Sequence, residues 1–246
     1  ASTTEINPDP SAAVTVTGGL GAGETLDTEG ALSRADARGS SVYLDVSARL
    51  RAREEGGIVA LTAGQDLDIV GSVIAGGAAT EAGTVFDVEA ATVTALAGGQ
   101  VNLRSGLLAS GDVTVEAGVL GLDANELALV VGGGGGLTSA GMGGDGAGAD
   151  VSVDAAGDIE MMGRIIAGGS VVQTFENGAL TGEEIVWLGR DARASITADG
   201  RAFIGGNTVT QNGDPVTVGG EVLAYSGVEI TGGTHDTGVG VLIQGA

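Results

Sequence analysis

Residues 59–77 read VALTAGQDLDIVGSVIAGG and residues 151–169 read VSVDAAGDIEMMGRIIAGG, so the two stretches align without a gap. A looser copy, GGQVNLRSGLLASGDVTVEAG, lies between them at 98–118. Each copy holds short runs of alternating apolar and polar residues, which is the period of a half-buried strand. The turns between the runs are too short for a crossover connection, which takes about 10–12 residues. The repeat therefore predicts short strands that turn the same way and stack coil upon coil.

The composition agrees with a narrow, stacked interior. Hydrophobic residues make up 43% of the 246 residues, but aromatic residues only 2%. The 48 glycines and three prolines suit frequent tight turns and lack the collagen pattern. The chain is thus predicted to be all-β, a single elongated parallel β-solenoid over 1–246. With about 4.8 Å between coils, about ten coils would give a rod of about 50 Å.

Three regions call for separate predictions. Residues 42–53 alternate throughout and predict one half-buried strand. Residues 132–149 contain ten glycines in 18 positions and predict a flexible Gly-rich loop inserted between coils. Residues 175–218 carry Asn-Gly and Asp-Gly dipeptides, which favour two-residue hairpin turns. An antiparallel β-sandwich in the C-terminal third is therefore the alternative fold.

Charge and residue usage exclude several partners. The formal net charge is -22, and all ten basic residues are arginine. Binding to nucleic acid phosphates needs an excess of Lys and Arg, so nucleic acid is excluded as a partner. No apolar run is long enough to insert into a membrane. Without cysteine the chain has no disulfide or thiol chemistry.

The repeats quoted above resemble those of filamentous haemagglutinin-like secreted proteins. The resemblance covers about residues 57–205. It implies a right-handed parallel β-helix that is exported to the bacterial cell surface and serves in adhesion, aggregation or matrix building. The secretion domain of that family carries Asn-Pro-Asn motifs, whereas this chain has only Asn7-Pro8-Asp9.

Catalytic and metal-binding chemistry find little support in the sequence. His235 is the sole histidine, and no nucleophile or ligand motif accompanies it, so we expect a surface turn residue. Residues 143–152, GGDGAGADVS, match a calcium-binding nonapeptide motif only weakly. Ca²⁺ is therefore the one metal ion that the sequence suggests. No catalytic residue, cofactor or metal ligand is assigned, and the chain is predicted not to be an enzyme.

The arginines cluster near one end of the chain. Residues 34–53 contain five Arg and two Asp, and Arg49, Arg51 and Arg53 share one face of the alternating run. This face is either a solvated surface or an interface with an acidic neighbour, namely another copy of the chain or a cell-surface glycan.

The leading hypothesis is an extracellular structural segment of a bacterial surface protein, a filament-forming or adhesin solenoid. It would associate with itself or continue in a longer chain. The alternative is a glycan- or calcium-binding module of a surface protein, and the third hypothesis is a polysaccharide-degrading β-helix enzyme.

Overall fold

A computed structural model describes residues 13–18, 42–44, 49–80, 82–122, 126–144, 148–205, 207–211, 214–218, 220–233 and 240–244. Within them the chain is all-β, and three parallel sheets make up most of the structure. Successive strands go to the first, second and third sheet in turn, and the next strand returns to the first. This arrangement is consistent with a β-solenoid, and one passage through the three sheets is called a coil below.

The three parallel sheets run along the length of the stack. The first contains β1 (Ala13–Gly18), β4 (Ile58–Ala63), β9 (Thr92–Ala97), β12 (Val113–Ala117), β15 (Val151–Ala155), β20 (Arg193–Ala198) and β25 (Gly227–Gly232). The second contains β2 (Val42–Leu44), β5 (Leu67–Ile69), β10 (Val101–Leu103), β13 (Leu127–Val131), β16 (Asp158–Met161), β21 (Ala202–Gly205) and β26 (Val241–Gln244). The third contains β3 (Arg49–Ala52), β6 (Ser72–Ala75), β11 (Gly106–Ala109), β14 (Gly136–Ser139), β17 (Arg164–Ala167) and β24 (Glu221–Ala224).

Among the described residues, two antiparallel sheets built from three inserted hairpins interrupt the coils. One is a four-stranded sheet, called the hairpin sheet below, made of β7 (Gly77–Thr80), β8 (Gly83–Phe86), β18 (Gly169–Glu176) and β19 (Ala179–Trp187). The other is a separate hairpin of β22 (Asn207–Gln211) and β23 (Asp214–Val218).

Columns of small aliphatic side chains fill the interior of the stack. Strand pairing aligns equivalent residues of successive coils, so each inward position repeats along the rod. One column consists of Val59, Val93, Val113, Val151 and Ala194. These five residues are at most 1% exposed. Because strands are only about 4.8 Å apart, each side chain must fit directly on its neighbour, and this explains the shortage of aromatic residues.

Aspartate side chains hold successive coils together at the corners. At several corners, a carboxylate of the preceding coil accepts a hydrogen bond from a main-chain N–H group. Among the described residues, such bonds join Asp66 to the N–H of Gln100 (2.9 Å), Asp112 to that of Asp150 (2.8 Å), Asp150 to that of Arg193 (2.7 Å) and Asp158 to that of Arg201 (2.6 Å). The aligned pair Asp66 and Asp158 thus occupies equivalent corners of two coils.

Several sequence predictions need correction. In the part of the chain that the structure describes, the first sheet has seven strands rather than about ten, and the insertions and long corners consume residues. Residues 42–53 do not form one strand, since β2 and β3 belong to different sheets. The predicted loop at 132–149 is wrong for Gly136–Ser139, because these residues pair in register as β14.

The C-terminal third is not a sandwich, because its strands β20, β21, β24, β25 and β26 continue the parallel ladders. Antiparallel hairpins do occur within 175–218. Asn177-Gly178 connects β18 to β19, and β22 pairs with β23. Asp199-Gly200 is instead a corner between β20 and β21, which lie in different sheets. An Asp-Gly pair suits a solenoid corner as well as a hairpin, and the sequence pattern alone does not distinguish them.

The corner aspartates should contribute measurably to stability. Asp158 is 7% exposed, so we expect Asp158→Ala to lower the free energy of unfolding by about 1–3 kcal/mol, because the Arg201 N–H loses its acceptor. Asp158→Asn should lose less, since its amide oxygen can still accept the bond. Urea unfolding followed by circular dichroism measures both. Asp154→Ala, at an exposed position of β15, is the control, and an equal loss there would refute this role.

Candidate functional site

The two hairpins of the hairpin sheet leave the solenoid at equivalent points. β7 follows β6 in the second coil and β18 follows β17 in the fifth, and both exits read Ile-Ala-Gly-Gly. Gly76 and Gly168 have φ values of +75° and +93°. A side chain at Gly168 would also meet Ala192 Cβ at 2.9 Å. The backbone can therefore leave the coil only where glycine permits a left-handed conformation in a crowded corner.

The hairpins then meet each other across the intervening coils. Val172 of β18 pairs with Gly83 of β8, and the Gln173 N–H donates to the Ala82 carbonyl at 2.8 Å. The Ser170 hydroxyl donates to the Thr84 carbonyl at 3.1 Å. One sheet is thus assembled from two insertions that are far apart in the sequence.

A groove of about 460 Å³ separates the hairpin sheet from the outer face of the third sheet. The solenoid side is formed by β11, β14 and β17 with glycines 133–135, and the other side by β8, β18 and β19. Ile166 lies on this outer face and is only 1% exposed. The groove is a concave surface lined by both sheets and is our candidate site.

Arg164 connects the two sides of the groove. Its Nη1 donates to Oε1 of Glu183 on β19, and its Nε donates to Oε2 of Glu221 on β24 at 2.7 Å. Gln173 Nε2 donates to Oε2 of Glu183 at 3.3 Å. Burial alone lowers the pKa of Arg164, but the hydrogen bond and charge of Glu183 and the charge of Glu221 outweigh burial and raise it. The hydrogen bond from Arg164 lowers the pKa of Glu183 below its ordinary value.

A second contact joins the hairpin sheet to the solenoid. The rings of Trp187, at the end of β19, and Tyr225, just after β24, lie edge to face with centroids 6.0 Å apart. Both side chains remain about half exposed, at 42% and 52%. An aromatic pair of this geometry is favourable and helps to hold the sheet against the sixth coil.

The residues singled out from the sequence lie elsewhere. Arg49 and Arg51 are in β3, opposite Ser72 and Ile74, and Arg53 follows as an exposed residue. The Arg51 Nε is buried and has no hydrogen-bond partner within the described part of the chain. Arg51 and Arg53 do not line the groove. His235 lies outside the described residues.

The structure gives no positive sign of a metal site or a membrane span. In the described ranges, no three His, Cys, Asp or Glu side chains come close enough together to hold a metal ion. Part of residues 143–152, the weak match to the calcium-binding nonapeptide, lies outside those ranges. The described residues also contain no long apolar helix of the kind that crosses a bilayer.

The groove residues Thr138, Arg164, Gln173 and Glu183 were not found from the sequence. The signal that could have found them is the repeated Ile-Ala-Gly-Gly, which marks both hairpin exits, together with the Asn177-Gly178 turn. The sequence could not predict that β8 and β18 pair, because this pairing joins residues of distant repeats.

Comparisons with known proteins identify no relative: no protein-family model, curated protein or solved structure matches the chain. The resemblance to filamentous haemagglutinin-like proteins therefore stays a prediction.

The Arg164–Glu183 ion pair should make stability depend on pH. Because the pKa of Glu183 is lowered in the folded state, its contribution is complete above the unfolded pKa of about 4.3 and is lost as the pH falls through the folded pKa. We expect Glu183→Gln to destabilise the protein at pH 7, and we expect its difference from the wild type to be smaller at pH 3. Urea titrations at both pH values measure the difference.

Glu184→Gln is the matched control, because Glu184 is the exposed neighbour on the same strand. If Glu183→Gln and Glu184→Gln lose the same stability at pH 7, the ion pair does not hold the hairpin sheet.

Proposed function

We propose that this chain is a structural segment of an extracellular fibre or adhesin at a bacterial cell surface. In this proposal the coils wind as a right-handed parallel β-helix, copies stack end to end, and the resulting rod serves attachment, aggregation or matrix building. The observation that carries the proposal is the open apolar interior of the seventh coil, which consists of β25 and β26.

The inward positions of the seventh coil are exposed although they continue buried columns. Val228 stacks on Ala194, and Ile243 stacks on Ile204. The exposed fractions rise from 1% to 46% in the first column and from 3% to 63% in the second. Apolar surface of this kind is stabilised when another coil covers it, by about 25 cal/mol for each Å² removed from water.

The same coil offers unpaired main-chain groups. β24, β25 and β26 are the last strands of their sheets in the described part of the structure. Open strand edges next to exposed apolar side chains recruit further strands. The occupant that fits is a further coil of the same kind, either in a longer chain or the first coil of a second copy, because β1, β2 and β3 are the opposite edges of the same three sheets. Such head-to-tail stacking does not close on itself and gives filaments.

Charge is also complementary between the two edges. Strand pairing places Arg49, in the first coil, in the same column of the third sheet as Arg164 and Glu221. The seventh coil contributes no described strand to this sheet, so a stacked copy would bring Arg49 two strand spacings, about 10 Å, from Glu221. This separation is about one Debye length at 0.1 M salt, so the attraction would be weak and would depend on salt.

Charge introduced into the open interior should prevent assembly. For the wild type we expect rods that lengthen with protein concentration, and for the double variant Val228→Lys and Ile243→Lys we expect single particles, because lysine cannot be buried there. Sedimentation velocity and negative-stain electron microscopy over a concentration series measure this. Leu180→Lys is the control, since Leu180 is 53% exposed but lies in the hairpin sheet.

Two results would contradict the proposal. One is a wild type that stays a single particle at every concentration. The other is loss of assembly in Leu180→Lys with assembly retained in the double variant.

Charge reversal at the first coil should weaken the same contact. We expect Arg49→Glu to shift assembly to about twofold higher protein concentration, and we expect this shift to shrink in 1 M salt. Arg190→Glu is the control, because Arg190 is exposed in the segment between β19 and β20. Assembly that responds equally to both reversals reflects net charge alone and would exclude a specific role for Arg49.

A further inference from the structure

The two halves of the hairpin sheet are joined by a narrow seam. β18 pairs with β19 at eight positions and β7 pairs with β8 at four, whereas β8 and β18 pair at one position only, Gly83 with Val172. The Gln173 N–H and the Ser170 hydroxyl each donate one further hydrogen bond across the seam, to carbonyl groups of the β7–β8 hairpin. Because pairing inside each hairpin is more extensive, the sheet should open at this seam before either hairpin comes apart.

The two hairpins are fastened to the solenoid to different degrees. On the β18–β19 hairpin, Glu183 accepts a hydrogen bond from Arg164 of β17, and Trp187 packs against Tyr225 beside the sixth coil. β7 and β8 carry one threonine hydroxyl each and no other polar side chain. Among the described residues, neither hydroxyl bonds to the solenoid. Apart from its base, the β7–β8 hairpin is therefore held by apolar packing and by the seam.

The base of the β7–β8 hairpin consists of two sharp backbone turns. Gly76, before β7, and Ala90, after β8, both have left-handed conformations, with φ values of +75° and +56°. The Ala90 N–H donates to the Met142 carbonyl at 2.7 Å, and the Ala91 N–H donates to the Ser110 hydroxyl oxygen at 3.1 Å. These bonds fix the point at which the chain rejoins the solenoid. The hairpin thus has a firm base about which it can pivot.

Each hairpin follows directly on an outward-facing isoleucine. The repeated Ile-Ala-Gly-Gly places Ile74 at the end of β6 and Ile166 at the end of β17. Both belong to one outward column of the third sheet, with Leu108 and Thr138 between them. Their side chains are nevertheless only 0% and 1% exposed. A further layer must therefore cover them, and the hairpin sheet is the layer on this face.

We propose that the β7–β8 hairpin is a lid that opens at the seam while the β18–β19 hairpin stays in place. Opening breaks the pairing of Gly83 with Val172 and uncovers Ile74, and the coils remain stacked. In the closed state the hairpin sheet is continuous from the second coil to the fifth, and the open state is a minor one in exchange with it. The lid does not depend on the structural role proposed above, because a single unassembled copy contains all of it.

The test uses the absence of cysteine from the chain. A single thiol introduced beneath the lid reports lid opening by its reaction with N-ethylmaleimide. Ile74→Cys is the probe, and Ala75→Cys, at the inward neighbour on the same strand, is the control that reacts only when the coils separate. Both positions are 0% exposed. We expect Ile74→Cys to react at least about tenfold faster than Ala75→Cys in the native protein.

Gly83→Ala acts on the seam. Gly83 has a φ of +118°, and a side chain there would meet the Val171 carbonyl oxygen at 2.6 Å. We expect this substitution to raise the reaction rate of Ile74→Cys about tenfold and to leave that of Ala75→Cys unchanged.

Gly178→Ala is the matched control, because Gly178 also has a positive φ, +78°, but lies in the β18–β19 turn with no atom within 4 Å of the added side chain. Circular dichroism melts verify that all variants are folded, and Leu108→Cys, in the groove beside Phe86, provides the probe if Ile74→Cys is not.

Three results would overturn the proposal. The first is equal reaction rates for Ile74→Cys and Ala75→Cys, which would mean that the hairpin moves only when the coils separate. The second is a rate for the probe that Gly83→Ala does not change. The third is a rate that Gly178→Ala raises as much as Gly83→Ala does.

Discussion

The lengthwise pairing of each coil with the next is the constraint on which the rest of this structure depends. Parallel ladders fix the spacing of successive coils at about 4.8 Å, so every side chain repeats against its counterpart in the next coil. The column of Ala63, Ala97, Ala117, Ala155 and Ala198 illustrates the consequence, since each member is at most 2% exposed. A larger residue in one coil would collide with its neighbours above and below. The low aromatic content and the regular aliphatic repeat both follow from this geometry.

Corners impose a second requirement, because main-chain groups there leave the ladders. Asp66 and Asp158 supply the hydrogen-bond acceptor for a main-chain N–H group of the following coil. Part of the acidic character of the chain is therefore structural. Arg164 has a different task, since it joins the hairpin sheet to the solenoid through carboxylates on both.

The sequence was sufficient to predict stacked coils, but it did not predict the hairpin sheet or its contacts with the solenoid. Alternation in residues such as Val113, Val115 and Ala117 reports which side faces inward, because a strand has only two faces. The same alternation runs from β2 to β3 without a break, although these two strands belong to different sheets. Corner residues and strand residues can share one alternating pattern, so the sequence did not reveal the change of sheet. The groove was missed because it is created by contact between the second and fifth coils. No local pattern encodes a contact of that range.

The hairpin sheet changes how the stack can come apart. In a simple solenoid each repeat touches only its neighbours, and unravelling can proceed one repeat at a time. Here the pairing of β8 with β18 connects the second coil to the fifth, so the hairpin sheet bridges the third and fourth coils. Under mechanical load the second to fifth coils must therefore yield together, and the Trp187–Tyr225 contact extends this coupling to the sixth coil. The hairpin sheet thereby turns several neighbouring coils into one cooperative unit.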